Sequence, residues 1–366
     1  MAQTLRHGYT TGACAAAASL GSALMLRDQQ RVESVDLTLP GGEIVPFILH
    51  GQAFCAEEAR CFVIKDAGDD PDVTHGCEVQ ASVTLNPPPP PFAKGGETLE
   101  VEIEGGTGIG RVTKPGLAVA VGNWAINPVP RQMITQALLA VFPPHTSPLT
   151  PHVTLSIPDG ERRAQRTLNA RLGILGGLSI LGTTGIVRPV SHQAWTDTID
   201  TALDVALACG VTVPVLVTGR SSEQAAQKEF GGAEETYIMM GDFAGYAADA
   251  CQKRNVGRFI VAAQFAKLLK IACGHPQTHV NSSTLDLSQL ATWGRLAGLD
   301  LITTKAIECA NTARQVFVES PAASELAQLV ADNALRQLQV WAPDCDIVIT
   351  LVDYAGGIAG VFKAER

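Results

Sequence analysis

Apolar and polar positions alternate with a period of two along much of the first half of the chain. Val35–Leu39, Val45–Leu49, Cys61–Lys65, Glu78–Leu85 and Thr98–Glu104 therefore read as strands, since a pleated strand sends alternate side chains to opposite faces. His152–Pro158 reads as one more. Ahead of them, Thr10, Thr11 and Gly12 precede a run of small residues from Ala13 to about Leu26. Threonine caps helices well and alanine propagates them best, so this run is a helix. The run Pro87–Pro91 cannot enter a sheet interior and reads as an extended surface loop. The proline-rich stretch 143–151 is a second break.

Beyond about residue 170 the rhythm changes. Short apolar runs alternate with amphipathic helices: Gly173–Leu181 then His192–Cys209, Val213–Thr218 then Ser221–Phe230, Thr236–Met240 then Ala244–Asn255, and Arg258–Ala263 then Phe265–Cys273. Helical patterns fill about 285–341, and Asp346–Leu351 closes as a strand. Such alternation implies a doubly wound, largely parallel sheet covered on both faces. The fold class expected is α+β followed by α/β, with domains at 1–170 and 171–366. A length of 366 residues agrees with two domains, since one core rarely grows so large.

Charge changes the picture by where it lies. The chain carries a formal −9, which argues against a nucleic-acid partner. Yet from Gly105 to His192 eight cations (Arg111, Lys114, Arg131, Arg162, Arg163, Arg166, Arg171, Arg188) face two acids, Asp159 and Glu161. A basic middle in an acidic protein suits a small polyanion, although solvated surface arginines would give the same count. No apolar run is long enough to span a bilayer, and the alanine run is broken too soon by polar residues to be a signal sequence. Nine cysteines without a CxxC pair suggest reduced, largely buried thiols in a cytoplasmic protein rather than a zinc knuckle.

Candidate chemistry collects at glycine-rich turns. Ligands of open α/β sheets sit beyond the carboxyl ends of strands. The expected ends carry Gly176, Gly177, Gly182, Thr183, Thr184 and Gly185, then Gly219 and Arg220, then Gly241 and Asp242. Neither the GxGxxG spacing nor a Walker lysine is present, which weakens the dinucleotide and P-loop readings. GGTGIGRVTKPG at 105–116 sets Arg111 and Lys114 beside free backbone N–H groups, fit for carboxylates but also for a hairpin turn. KDAGDDPD at 65–72 gathers Asp66, Asp69, Asp70 and Asp72, which could act as a base, bind a cation or simply form a turn. His275 and His279 are four apart in GHPQTH, where glycine and proline favour a loop, and no HExxH zinc pattern exists. Bottom-up, these residues describe an α/β protein with ligand turns and an anion site, without naming a reaction.

Five segments in order resemble the cobalt-precorrin-5B C1-methyltransferase family of anaerobic cobalamin biosynthesis. They are HGYTTGACAAAA at 7–18, VIKDAGDDPDVTHG at 63–76, GRVTKPGLAVAVGNWAINPVPRQMI at 110–134, TLNARLGILGGLSILGTTGIVRPVS at 167–191 and GDFAGYAADA at 241–250. The resemblance implies methyl transfer from S-adenosylmethionine to ring carbon C1 of a cobalt-tetrapyrrole. It also implies a first domain similar to ribosomal protein S5 domain 2 and a Rossmann-like second domain. S-adenosylmethionine would bind the turns above, while Thr10, Thr11, Arg111, Lys114, Arg131, Arg188 and His279 would meet the substrate. His275, or in competition Asp66, would take the proton released after methylation. No protein-bound metal is expected, because the substrate carries the cobalt. No nucleic acid or membrane partner is expected, and a homo-oligomer stays open. The chain departs from the family at Gln264–Lys267 and Thr278–Val280, which weakens the carry-over to His279. Two other classes fit the same turns: a nucleotide-dependent reductase, and a non-catalytic carrier of a corrinoid intermediate.

Overall fold

The structure is a computed structural model that describes residues 5–86, 101–143, 149–189 and 191–363. The proline run 87–91 lies outside the described residues. The chain divides into two compact units, the first reaching Ser191 and the second starting at His192.

The first unit is built round one buried helix. A short strand, β1 (Gly8–Tyr9), leads into α1 (Thr11–Asp28), whose Thr10 Oγ1 accepts the Ala13 N–H at 3.2 Å. Fourteen of its eighteen residues are buried, so it has no solvent face of its own and is stable only inside a core. Alanine, serine and glycine make that close packing possible, and Ser22 satisfies its hydroxyl on the Ala81 carbonyl. The strands that follow are β2 (Ser34–Thr38) and β3 (Ile44–Ile48), which form a separate hairpin, then β4 (His50–Phe54), β5 (Glu58–Ile64) and β6 (Glu78–Asn86). After β7 (Glu102–Gly105) and β8 (Arg111–Val112) come α2 (Pro128–Val141) and β9 (Thr150–Ser156). The main sheet runs in the order β4-β5-β6-β9-β7, antiparallel except for the β7–β9 pair. Ala59, Cys61, Val63, Val79, Ala81 and Val83 alternate inward from its centre, which is the period of two seen in the sequence. A short α3 (Gly160–Ala164) follows β9.

Gly173–Leu181, expected to open a parallel sheet in the second domain, sits in the first unit instead. It carries β10 (Ile174–Leu175), antiparallel to β8, and single bridges from Leu178 to Ile109 and from Ile180 to Ile126. β11 (Ile186–Val187) then pairs with β1. The physical cause is glycine: a side chain on Gly177 would collide with the Gly108 backbone, so only two bare backbones can approach in this way.

The second unit opens with α4 (His192–Ala208) and then alternates β12 (Val215–Val217), α5 (Arg220–Phe230), β13 (Tyr237–Met239), α6 (Ala244–Lys253), β14 (Arg258–Gln264) and α7 (Phe265–Ala272). Four helices follow, α8 (Leu287–Leu296), α9 (Leu301–Cys309), α10 (Ala313–Glu319) and α11 (Ala323–Trp341), before β15 (Asp346–Val352) and β16 (Ile358–Lys363). The sheet order is β13-β12-β14-β15-β16, parallel until β16. Val215, Val217, Tyr237 and Ala262 face Ala225 and Ala226 of α5. Leu216, Ile238, Val261 and Ile349 face the opposite layer of helices. From β12 the chain goes first to one side and then to the other, so its order reverses between β12 and β14. Ligands of such sheets bind at that reversal, beyond the carboxyl ends.

Candidate ligand sites

In the first unit the structure brings together three of the motif segments. Thr10 N–H donates to the Gly185 carbonyl at 2.9 Å, and Gly12 N–H donates to Leu181 at 3.0 Å. Thr11 Oγ1 accepts the Leu181 N–H at 3.0 Å, and Asn127 N–H donates to Ile180 at 2.9 Å. Thr10 and Thr11 are buried and spent on this closure, so their role here is to fasten a strap of residues 179–186 over the start of α1. The N–H of Gly12, which could have met a ligand, bonds that strap. Gly182 adopts φ +125°, and a side chain there would collide with Thr10. Gly185 likewise has positive φ and packs on Leu39. Gly176 faces open space, and Thr183 and Thr184 are exposed.

The cations divide by what they touch. Arg162 and Arg163 both bond Asp159, and Arg163 also holds the Val73 and His75 carbonyls. Arg111 stacks over Trp124, 3.8 Å from the ring centroid, and donates to the Gly122 carbonyl at 2.7 Å. Lys114 reaches the Arg171 carbonyl at 3.1 Å. Arg188 is exposed. Arg131, in the first turn of α2, is half-buried and donates through Nε to the Ile126 carbonyl at 3.0 Å. Burial lowers its pKa, so its charge would gain from an anion.

The aspartate loop folds inward as separate bonds rather than as a cage. Asp66 pairs with Arg6, whose Nη2 lies 3.0 Å from Oδ1, and accepts the Gly68 N–H at 2.9 Å. Asp69 accepts the Arg6 N–H at 2.6 Å. Asp72 meets Lys65 at 2.6 Å, and that lysine is only 1% exposed. Burial pushes the Asp72 carboxyl up, but the Lys65 charge and the bonds from Lys65 and Thr74 hold it below its ordinary value. Among the described residues no three His, Cys, Asp or Glu side chains are placed to hold a metal ion.

The hydrogen bonds from Arg6 bring Asp66 down to about 2. A carboxylate so acidic is a poor proton acceptor near neutrality, which counts against the Asp66 assignment. The folded pKa lies below the unfolded value of about 3.9, so the pair stabilises the fold above that pH and loses its contribution as pH falls toward 2. NMR titration of the Gly68 amide should show a midpoint near 2; a midpoint near 4 would mean that Arg6 does not hold this carboxylate in solution.

The second unit supplies a different arrangement. β12 is followed by Thr218 and Gly219, whose N–H groups donate to Ser222 Oγ at 3.1 and 3.0 Å. Gly219 has an extended backbone that any residue could adopt, and nothing lies within 4 Å of where its Cβ would be. Packing therefore does not require glycine here, and the space is open to a ligand. Arg220 beside it is exposed. The next strand, β13, leads to Gly241 and Asp242, and Gly241 N–H turns back to Val217 at 3.3 Å.

Asp242 is anchored through one oxygen. Lys267 of α7 contacts Oδ1, and Thr278 Oγ1 donates to the same atom at 2.8 Å. Among the described residues no hydrogen bond falls on Oδ2. Burial pushes the carboxyl up, but Lys267, Thr278 and the charge of His279 outweigh it and keep it ionised. Lys270 donates to the Thr278 carbonyl at 2.9 Å, so two lysines of α7 pin the loop 275–283. His275 is half-buried, with its N–H on the Lys270 carbonyl, and His279 is exposed. His279 Nδ1 accepts the Asn281 N–H at 3.2 Å. This confirms a loop rather than a helical metal pair. The sequence marks Lys267 and Thr278 only as departures from the family and does not mark Lys270. An N–H-rich turn is visible as glycine, whereas a lysine that crosses from the next helix leaves no local pattern.

Aromatic rings adjoin the same corner. Trp195 of α4 donates through Nε1 to the Met240 carbonyl at 3.2 Å, and its ring edge lies 2.8 Å from where a Gly241 Cβ would stand. It stacks loosely on Phe243 at 6.3 Å and 22°. His192 meets the Phe243 ring edge-on at 5.5 Å.

A parallel sheet flanked by helices, with an anchored carboxylate and an open glycine beyond its strand ends, defines an α/β protein. The chain belongs to the CbiD family: the model described as CbiD matches residues 1–189, and that of the CbiD C-terminal domain matches 277–361. It is similar to a protein named cobalt-precorrin-5B C(1)-methyltransferase from Geotalea daltonii, 56% identical over 86% of this chain and 87% of that one. A protein of the same name from Geobacter metallireducens is 54% identical over 96% of both chains. A crystal structure of the cobalamin biosynthesis protein CbiD from Archaeoglobus fulgidus is 27% identical, with 72% of this chain and 78% of that one covered and a TM-score of 0.40.

Proposed function

We propose that this protein transfers a methyl group from S-adenosylmethionine to ring carbon C1 of cobalt-precorrin-5B, giving cobalt-precorrin-6A. Relatives at 50–56% identity carry that name across nearly their whole length. The observation that carries the cofactor reading is the corner of Gly219, Arg220, Gly241 and Asp242. In parallel sheets a carboxylate just past the neighbouring strand accepts ribose hydroxyls, while glycine lets the donor approach the backbone. Asp242 has an oxygen to spare for this, and Lys267 holds it in place. In the segment 176–185, Gly176, Thr183 and Thr184 remain candidates for ligand contact, whereas Gly177, Gly182 and Gly185 have packing reasons to be glycine. The sheet order of the second unit supports a Rossmann-like assignment, and the helix-on-antiparallel-sheet core of the first supports the S5 domain 2 likeness. We read the protein as cytoplasmic, which its nine free cysteines support.

The sulfonium methyl is already electrophilic. Its carbon forms a bond to C1, sulfur keeps the electron pair of the broken bond, and the ring sheds a proton to return to neutrality. Alignment is then the main task of the protein, worth roughly 7–11 kcal/mol at the extreme. Cobalt belongs to the substrate. The peripheral carboxylates of the ring would be met in the first unit by Arg131 and by exposed Arg188, with Arg111 and Lys114 close in sequence to the same basic stretch.

Calorimetry separates the alternatives. S-adenosylmethionine and S-adenosylhomocysteine should bind, and NADPH and ATP should not. A reductase would reverse that result, and a carrier would bind the corrinoid alone. Arg131→Ala should raise the apparent KM for the corrinoid roughly tenfold, the worth of a charge-assisted hydrogen bond, and leave that for S-adenosylmethionine unchanged. If the two constants move together, Arg131 supports the fold rather than the substrate.

A further inference from the structure

Trp195 is unlike the other three tryptophans of the chain. Trp124, Trp293 and Trp341 are all partly buried against a core, whereas Trp195 is 44% exposed. Exposing a large aromatic ring forgoes burial that would otherwise stabilise the fold. The ring is nevertheless held in place. Its single donor is spent on the Met240 carbonyl, Phe243 stacks beside it, and Gly241 has no side chain that would displace it. Gly241 also adopts φ +57°, so the glycine serves both the turn and the close approach of the indole.

Its place in the fold gives the exposure a use. Trp195 lies on Gly241, and the following residue is Asp242, whose Oδ2 accepts no hydrogen bond among the described residues. Consecutive Cα atoms are about 3.8 Å apart, so a flat ring laid on the indole would leave its attached sugar beside the carboxylate. A purine base is planar, aromatic and close in size to indole, and stacking on an aromatic ring binds it without needing a particular hydrogen-bond pattern.

We propose that Trp195 is the stacking platform for the adenine of the methyl donor, with Phe243 as the ring that sets its tilt. The proposal rests on the cofactor corner argued above, and adds a residue that no glycine or charge pattern in the sequence marked. The indole does no chemistry. It recognises the nucleoside half of the ligand and leaves the sulfonium to be placed by other groups.

The test is the affinity of the full chain for S-adenosylhomocysteine, adenosine and methionine, measured by calorimetry for wild type, Trp195→Phe and Trp195→Ala. Trp195→Ala should weaken S-adenosylhomocysteine and adenosine by the same factor, tenfold or more, the range seen for base stacking. Trp195→Phe should lose fivefold at most, and any binding of methionine should not change. In the wild type, adenosine should quench tryptophan emission, and Trp195→Phe should abolish that quenching. If S-adenosylhomocysteine binds wild type and Trp195→Ala equally well, the platform is wrong while the cofactor reading stands. If Trp195→Ala alters only the KM for the corrinoid, the ring belongs to the macrocycle and the proposal is overturned. If wild type binds no S-adenosylhomocysteine, the cofactor reading falls and the platform with it. Should Trp195→Ala lose its circular dichroism signature, the phenylalanine variant and the quenching decide the matter alone.

Discussion

Gly182→Val should unfold the first unit rather than produce a folded protein with a damaged cofactor site. At φ +125° a β-branched residue is strained, and its side chain would be driven into Thr10, the cap of the central helix. Backbone strain of about 1–3 kcal/mol and overpacking of a similar size add to about 2–6 kcal/mol, the upper part of which reaches the whole stability of a marginal domain. The sequence alone suggests a different result, namely lost cofactor binding in an intact fold, because glycine beside threonine reads as a ligand turn. Thermal unfolding followed by circular dichroism distinguishes the two. A melting temperature within a few degrees of wild type would show that the strap can detach from α1 without cost.

His275→Ala should lower turnover by about 10²-fold or more if an imidazole takes the proton released after methylation, with binding of both substrates retained. Its alternative, Asp66→Asn, should do something else. Asp66 is held ionised near pKa 2 by Arg6, so removal of its charge frees Arg6 and the segment on either side of it. The expected result is a less stable N-terminus with near-normal turnover per folded molecule. Single-turnover kinetics with stability measured in parallel would check both. If Asp66→Asn abolishes turnover in a stable protein and His275→Ala does not, the carboxylate is the base despite its acidity. If neither changes the rate, alignment alone carries the reaction.

Much of the fold was legible because burial follows periodicity. The alternation in Glu78–Leu85 and the run of alanines before Leu26 each satisfy one element's geometry, and both elements stand where the pattern put them. The second-half β–α alternation from Val213 to Cys273 was equally readable, since each strand and helix there is local. What escaped was set by distant partners. α2 begins in NPVPR, whose prolines look like a break although proline suits a first helical turn. β4 and β16 have weak apolar patterns and exist because a neighbour offers a free edge. The segment 173–187 has the glycine content of a ligand turn, but its hydrogen bonds run to residues 8–12 and 108–127, far away along the chain. In the site, Asp242 and Gly219 were visible as turn residues. Lys267, Thr278 and Trp195 were not, because each reaches the corner from another element.

The pairing of Gly8 and Tyr9 with Ile186 and Val187 also governs how the chain is made. The first helix emerges from the ribosome early, yet the residues that close its leading end come from the last strand of the same unit. Until they are synthesised, a helix with no solvent face has only part of its core to enter, and the slow step of folding must wait for contacts between the two ends of the unit. Any fragment ending near residue 170, where the hydrophobic rhythm changes, would be left in that unfinished state permanently. A fragment that runs through Ser191 carries its own closing strand and the buried Ile174, Leu178 and Ile180, so recombinant expression of the first unit turns on about twenty residues at its end.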